Sequence, residues 1–315
     1  MPHRLPTAAA RAHVRVPCST SNLGAGFDCV GIALDRWLVA EAWMGGSDRA
    51  LPALTRGGAL APLGDTAAGD DLLVRGAVLA CEAVGRALPR GLCISATSEI
   101  PVARGLGSSA AALVAGALLA DALLALGLGA ARVAELGSTE EGHPDNVAPM
   151  LLGGAVLGVP RGDRWIFAPL PVHADVGVAV GIPAFETSTR AMRAALPPAV
   201  PHRDAVRAAG KSAALVRGLA DADGALLAHA LDDVLHVPYR RALIPGYDAV
   251  VDAALAAGAW GATLSGAGSS LLALAPRALV PTVAEAMRDA WVRDGVSAEA
   301  WPAPLATGAQ VTSAG

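Results

Sequence analysis

Between Pro101 and Ala112 the chain reads PVARGLGSSAAA, a glycine- and serine-rich turn between an apolar strand-like run and an alanine-rich helical one. The chemistry such residues perform is anion binding. Glycine lets backbone pass close to a phosphate, and the free N–H groups of a helix start offer it a positively biased cradle. Ser108 and Ser109 add hydroxyls for a phosphate or a magnesium ion. No lysine follows the glycines, and Lys211 is the only lysine of the chain, so this is not a Walker loop. Any triphosphate held here is neutralised by backbone dipoles, arginine and a hard cation on a carboxylate. The same residues also fit a tight strand-to-helix connection, and the loop alone does not separate the two.

Two further segments have the same texture: PCSTSNLGAGFD, residues 17–28, and TLSGAGSS, residues 263–270, where Gly266, Ala267 and Gly268 leave room for a ligand. A third, GHPDNVAPMLLGG at residues 142–154, offers Asp145 and Asn146 as a helix start. Read as residues only, Asn22 and Asp28 shape a turn or bind a ligand, and Glu135 is a solvated charge or a metal ligand. Arg193 and Arg240 are surface arginines or a fork for a carboxylate.

Alternating strand and helix patterns position these segments. HVRVPCSTSN reads as a strand, VGIALDRWLVAEAWM as one or two more, and GGSDRALPALTRGGALAPLGDTAAGDD as loop. Then come a helix over DLLVRGAVLACEAVGRAL, a strand over GLCISATSEIP, the glycine-serine loop and two helices. After Pro160, VGVAVGIP reads as a strand, STRAMRAALP as a helix, and a long helical tract runs from about Asp204 to Leu235. PYRRALIPGYDAVVDAALAAGA follows as one helix, GATLSGAGSSLLALAP as a glycine-bent strand pair, and VPTVAEAMRDAWVRDGV as a closing helix. A soft boundary near residues 160–170 divides the chain into 1–165 and 166–315.

Composition sets the class. The 315 residues are 53% hydrophobic and 17% charged, enough to bury a sizeable core. A net charge of -4 with scattered arginines excludes a nucleic-acid stripe. The four cysteines form no CxxC pair, which fits free thiols in a cytoplasmic protein. MPHRLPTAAARAHVRV has no apolar signal core. Residues 110–129 approach bilayer-spanning length, but Asp121 interrupts them, and they read as a helix buried in a water-soluble fold without a membrane role.

The three glycine-rich segments together resemble the motifs of the GHMP small-molecule kinases, the galacto-, homoserine, mevalonate and phosphomevalonate kinases. The match spans nearly the whole chain. Pro17, Asn22, Leu23, Gly24, Gly26 and Asp28 fit the first motif, residues 101 and 105–111 the second, and Ser265 to Gly268 the third. Ser21, Ser269, Ser270 and the Leu-His-Val before Pro238 depart from the usual pattern. The resemblance implies an α+β fold of two domains: an ATP-binding, ribosomal protein S5 domain 2-like half over 1–165, and a ferredoxin-like half over 166–315.

Within the family the pattern is similar to the branch that phosphorylates the hydroxyl of L-homoserine. Asn146 stands where the mevalonate and galactose branches carry an aspartate proposed as base, and an amide accepts no proton at neutral pH. The resemblance implies ATP on Pro101, Arg104, Gly105, Leu106, Gly107, Ser108, Ser109 and Ala110, with Mg2+ on Ser109 and Glu135. It implies L-homoserine on Asn22, Asp28, Asn146, Thr189, Arg193, Arg240 and Gly266, with Asn22, Asn146 and Arg193 as the catalytic set. Asp28 meets the ammonium, the two arginines the carboxylate, and the two asparagines the hydroxyl end; His143 reads as structural support. A homodimer and direct phosphoryl transfer without a phosphoenzyme complete the expectation. The alternatives are another small alcohol as acceptor, or a non-catalytic nucleotide- or metabolite-binding member.

Overall fold

The structure, a computed structural model, describes residues 10–314 other than 46, 47 and 65. Most of the segment read for a signal core lies outside these residues. The chain opens with β1 (Arg11–Asn22) and β2 (Gly26–Met44), an antiparallel pair closed by a tight turn, and β2 is one strand of 19 residues. Next come β3 (Ala53–Gly58), α1 (Leu72–Glu82), β4 (Leu92–Ser98), α2 (Ser108–Leu124), α3 (Gly129–Glu141) and α4 (Val147–Leu152). The hairpin of β5 (Ala155–Arg161) and β6 (Arg164–Leu170) leads to β7 (Val176–Pro183) and α5 (Thr189–Ala194). Then follow α6 (His202–Asp221), α7 (Gly224–Leu231), α8 (Val237–Arg240), α9 (Tyr247–Ala256), β8 (Gly261–Leu264), β9 (Leu271–Pro276), α10 (Val280–Arg293), β10 (Ala298–Ala303) and β11 (Gln310–Ala314).

The strands form two sheets. The first runs β11-β1-β2-β4-β3 and is extended by β5 and β6 off β2; the second runs β10-β7-β9-β8. Among the described residues only the β3–β4 pairing is parallel. The expected boundary at residue 165 therefore cuts β6, and the C-terminal strand returns to pair with β1. One apolar core runs from the first sheet through α2 into β7, β9 and α6, and a second gathers α9 and α10 on β8 and β9 around fully buried Trp291.

Several expectations change in detail. β3 lies in the stretch read as loop, because its half-buried residues show no alternation and glycine and proline surround them. The long helical tract breaks at Ala222, where the Asp223 carboxylate caps α7 by accepting from the N–H groups of Ala225 and Leu226 at 2.9 and 3.0 Å. The helix expected after Pro238 divides into α8 and α9, with Gly246 in left-handed backbone between them.

Helix α2 is buried on nearly all faces, as its composition suggests, and among the described residues no helix is long and apolar enough to cross a membrane. It crosses α1 at a reciprocal glycine contact. A Cβ on Gly76 would lie 1.9 Å from the Leu113 carbonyl oxygen, and one on Gly116 1.9 Å from that of Leu73. Backbone meeting backbone fixes the height of α2, and with it the position of its N-terminus.

Candidate active site

That N-terminus opens into a cavity of about 450 Å3. Its walls are the β1–β2 turn, the loop before α2, the α3–α4 connection, α5, α8, the β8–β9 turn and the segment from Arg56 to Leu73. Gly107 starts α2 at φ 71°, and no side chain caps the first turn. A Cβ there would stand 2.6 Å from Ser19 Oγ and 3.1 Å from Asn146 Oδ1, so both the dihedral and the space require glycine. An uncapped helix start beside small residues fits a phosphate group.

The three glycine-rich segments bind one another. Ser265 Oγ donates to the Gly105 carbonyl at 2.7 Å and lies 2.9 Å from Thr20 Oγ1, while the Gly266 N–H donates to Ser21 O at 3.1 Å. The Ser19 N–H donates to Leu106 O at 3.3 Å. Of the residues expected on the nucleotide, Arg104, Gly105, Gly107, Ser108 and Ser109 line the cavity. Pro101, Leu106 and Ala110 do not; the last two are buried in the core and anchor the loop from beneath. Arg104 spends its guanidinium on the carbonyls of Val102, Pro183 and Ala184 at 3.1, 3.0 and 2.6 Å, with Glu186 at 3.2 Å, and so straps the loop to the segment before α5.

Glu135 is placed away from the cavity, its carboxylate 2.8 Å from Arg132 and 3.5 Å from Arg164. Glu141, at the end of the same helix, lines the cavity instead. Six residues of helix turn a side chain through about 600°, so the two glutamates point about 120° apart. Burial raises the Glu141 pKa; the charge of His143 opposes the rise, and those of Asp145 and Glu140 add to it. Of the residues expected on magnesium, Ser109 lines the cavity and Glu135 does not, and Glu141 is the α3 carboxylate that does.

On the acceptor side, Asn22, Asp28, Asn146, Thr189, Arg193, Arg240 and Gly266 all line the cavity. Asn22 holds left-handed backbone at φ 73° and uses its amide within the turn. Its Nδ2 donates to Gly266 O at 2.8 Å, and its Oδ1 accepts from the Asp28 N–H at 3.0 Å. Asn146 accepts from Ser19 Oγ at 2.9 Å beside Gly107. Arg193 grips Asp28 with two bonds of 2.8 and 3.0 Å, which raise its already high pKa. Arg240 is 2% exposed, and desolvation followed by the charge of Arg193 lowers its pKa. Arg241, its neighbour, points elsewhere and pairs with Asp248 at 2.7 Å.

His143 and Asp145 also line the cavity, Nδ1 to Oδ1 at 2.6 Å. Burial pulls the His143 pKa down, but the Asp145 hydrogen bond and the surrounding carboxylates outweigh it and raise it above 6.5. The segment GHPDN brings three residues, His143, Asp145 and Asn146, to one wall; its proline and its position between helices made it readable as a helix start, not as a cluster. Arg56 and Asp71, paired at 2.6 Å and nearly buried, had no signal in sequence because their partners lie across a loop.

Comparison with known proteins places the chain in a family. The GHMP kinase N-terminal domain model matches residues 71–154, and the GHMP kinase C-terminal model matches 213–293. A homoserine kinase from Picosynechococcus sp. is 42% identical over 91% of this chain and 94% of its own. One from Synechocystis sp. is 39% identical over 95% of this chain and 97% of its own. The crystal structure of homoserine kinase from Cytophaga hutchinsonii superposes with a TM-score of 0.86 at 28% identity, covering 98% of this chain and 99% of that one. With both domain models in order and relatives near 40% identity along almost the entire length, the chain belongs to the GHMP kinase family.

Proposed function

We propose that this enzyme transfers the γ-phosphoryl group of ATP to the side-chain hydroxyl of L-homoserine, giving O-phospho-L-homoserine on the route to threonine. One observation supports the reading: a lysine-free, uncapped helix start and the Asp28–Arg193 ion pair share one cavity, with Asn146 against Gly107 at the helix start. The relatives named above are homoserine kinases.

The chain's own residues do three things in this reading. Uncapped N–H groups at the start of α2 and the hydroxyls of Ser108 and Ser109 hold the phosphates. Ser109 and Glu141 would hold a magnesium ion, which supplies positive charge to the phosphates when bound. Asp28 and Arg193 receive the amino acid: its ammonium takes the place of Arg193 on Asp28, and its carboxylate takes the place of Asp28 on Arg193, with Arg240 beside it. The exchange keeps every charge paired. Asn146 orients the hydroxyl toward the phosphates; as an amide it takes no proton, so positioning and charge neutralisation do the work of a loose phosphoryl transfer.

A coupled ADP-release assay with L-homoserine, L-serine, L-threonine and mevalonate tests the proposal. L-Homoserine gives the highest kcat/KM; a preference for another alcohol, or no ADP with any of them, overturns it. Arg193→Ala raises the KM for L-homoserine by about 10-fold or more while that for ATP stays within about twofold, as loss of a charge-assisted contact requires. The homodimer implied by the family resemblance and the cytoplasmic location read from the cysteines belong to the same proposal and are read by light scattering and by cell fractionation.

A further inference from the structure

Behind the carboxylate side of the cavity, Arg240 is backed by His236, a residue the reaction as described does not use. Arg240 is almost completely buried, yet none of the hydrogen bonds found for its guanidinium among the described residues goes to a carboxylate. Its Nε donates to Met192 O at 3.0 Å, and its Nη1 lies 3.3 Å from Nδ1 of His236. Guanidinium only donates, so Nδ1 is the acceptor and the ring proton sits on Nε2. There it meets the Gly24 carbonyl at 3.3 Å, so both ring nitrogens agree on one neutral tautomer.

His236 is fully buried and stacks on Phe27, with ring centroids 4.7 Å apart and planes at 18°. The guanidinium carbons of Arg240 and Arg193 lie 5.3 and 5.9 Å from the centroid of the Phe27 ring. Phe27 immediately precedes Asp28, so this aromatic pair touches both arginines and the turn that carries their acidic partner. Asp233, the nearest carboxylate to the imidazole, is occupied by backbone: it accepts from the N–H groups of Leu235, His236 and Val237 at 3.0, 2.6 and 2.8 Å. The backbone of α8 is thus capped without help from the imidazole.

We propose that His236, stacked on Phe27, is a positioning residue that aims the Arg240 guanidinium into the cavity without neutralising it. This rests on the reading that Arg240 meets the substrate's carboxylate. A carboxylate in place of His236 would pair with Arg240 and compete with the substrate; an apolar side chain would leave Nη1 unpartnered and the guanidinium free to turn. A neutral acceptor avoids both. Burial keeps the imidazole neutral, its pKa pushed down to about 4, with the charge of Asp233 opposing and that of Arg240 adding to the shift; Asp28 also faces it and opposes.

His236→Phe keeps the stack and removes the acceptor, whereas His236→Gln keeps an acceptor. In steady-state assays of the full chain, His236→Phe raises the KM for L-homoserine by about 10-fold or more and leaves that for ATP within about twofold, and His236→Gln recovers most of the loss. Equal rises in both KM values, or no rise, or a glutamine variant as weak as phenylalanine, would overturn the proposal. Crystal structures of the wild type and His236→Phe supply a readout free of turnover: the Arg240 guanidinium moves in the variant. If it stays in place the proposal fails, whatever the substrate. If the wild type releases no ADP with L-homoserine, the functional reading fails, and the structures still decide the role of His236.

Discussion

Two acidic residues on α3 separate what residue type conveys from what position conveys. Glu135 and Glu141 are chemically identical, but only Glu141 lines the cavity, and Glu135 is already matched by Arg132 and Arg164. Glu141→Gln keeps shape and removes the charge a hard cation needs, so it lowers kcat/KM by about 100-fold or more, with the largest deficit at limiting magnesium. Glu135→Gln stays within about threefold of wild type. The reverse order in a magnesium titration of both variants would return the metal role to Glu135. At this scale the loop, Asn22 and the arginines each had a bland reading, and only three glycine-rich motifs in order, through the family they resemble, made the site residues readable. The resemblance named Glu135 for the metal; that Glu141 is the one lining the cavity depends on the helix phase relative to a wall built elsewhere. The strap that the Arg104 side chain makes was not legible either, because its carbonyl partners Pro183 and Ala184 lie some 80 residues away. Phe27 and His236 carry no signal of their own, because their role exists only through contact with arginines.

Among elements, α2 was the most legible, since an apolar run after a glycine-rich turn has few places to go except a buried helix. Less legible were β3, β6 and β11, short strands whose pairing partners are set by the sheet and not by their own pattern. The meaning of Gly116 was also hidden. In an exposed helix, Gly→Ala gains about 1 kcal/mol from propensity. Here the new Cβ would lie 1.9 Å from the Leu73 carbonyl oxygen, so α1 and α2 must separate. Overpacking of this kind costs about 1–3 kcal/mol and occasionally more, and because the obstacle is rigid backbone the upper end applies. Gly116→Ala is therefore destabilising by about 2 kcal/mol net, read as a lower urea midpoint at unchanged slope. It also weakens ATP binding, because α2 carries the cradle at its start. A neutral or raised midpoint would mean that the helix crossing is softer than this contact implies.

Across the whole molecule, the cavity draws residues from Ser21 to Ala267, and β11 closes the first sheet after β10 has joined the second. Site geometry and global stability are consequently one property, and protons couple to both. His236 titrates near 4 in the folded chain against 6.5 when unfolded, because burial disfavours its charge. Between those values the unfolded state binds the extra proton, so this stabilising contribution is complete above pH 6.5 and is lost as pH falls toward 4. At pH 5 the loss relative to pH 7 is about 2 kcal/mol. His143 acts in the opposite sense: its pKa is raised, so its contribution is present at low pH and fades as pH rises through and above 6.5. The two histidines thus partly offset one another, and the wild-type profile alone does not isolate either. Comparing the wild type with His236→Gln does, because glutamine does not titrate and leaves His143 in place. Urea denaturation at pH 5, 6 and 7 shows a shallower acid-side decline for the variant, by about 2 kcal/mol across that interval. Parallel profiles would mean that His236 is not held neutral by its surroundings, and the tautomer that its contacts with Arg240 and Gly24 require would be wrong.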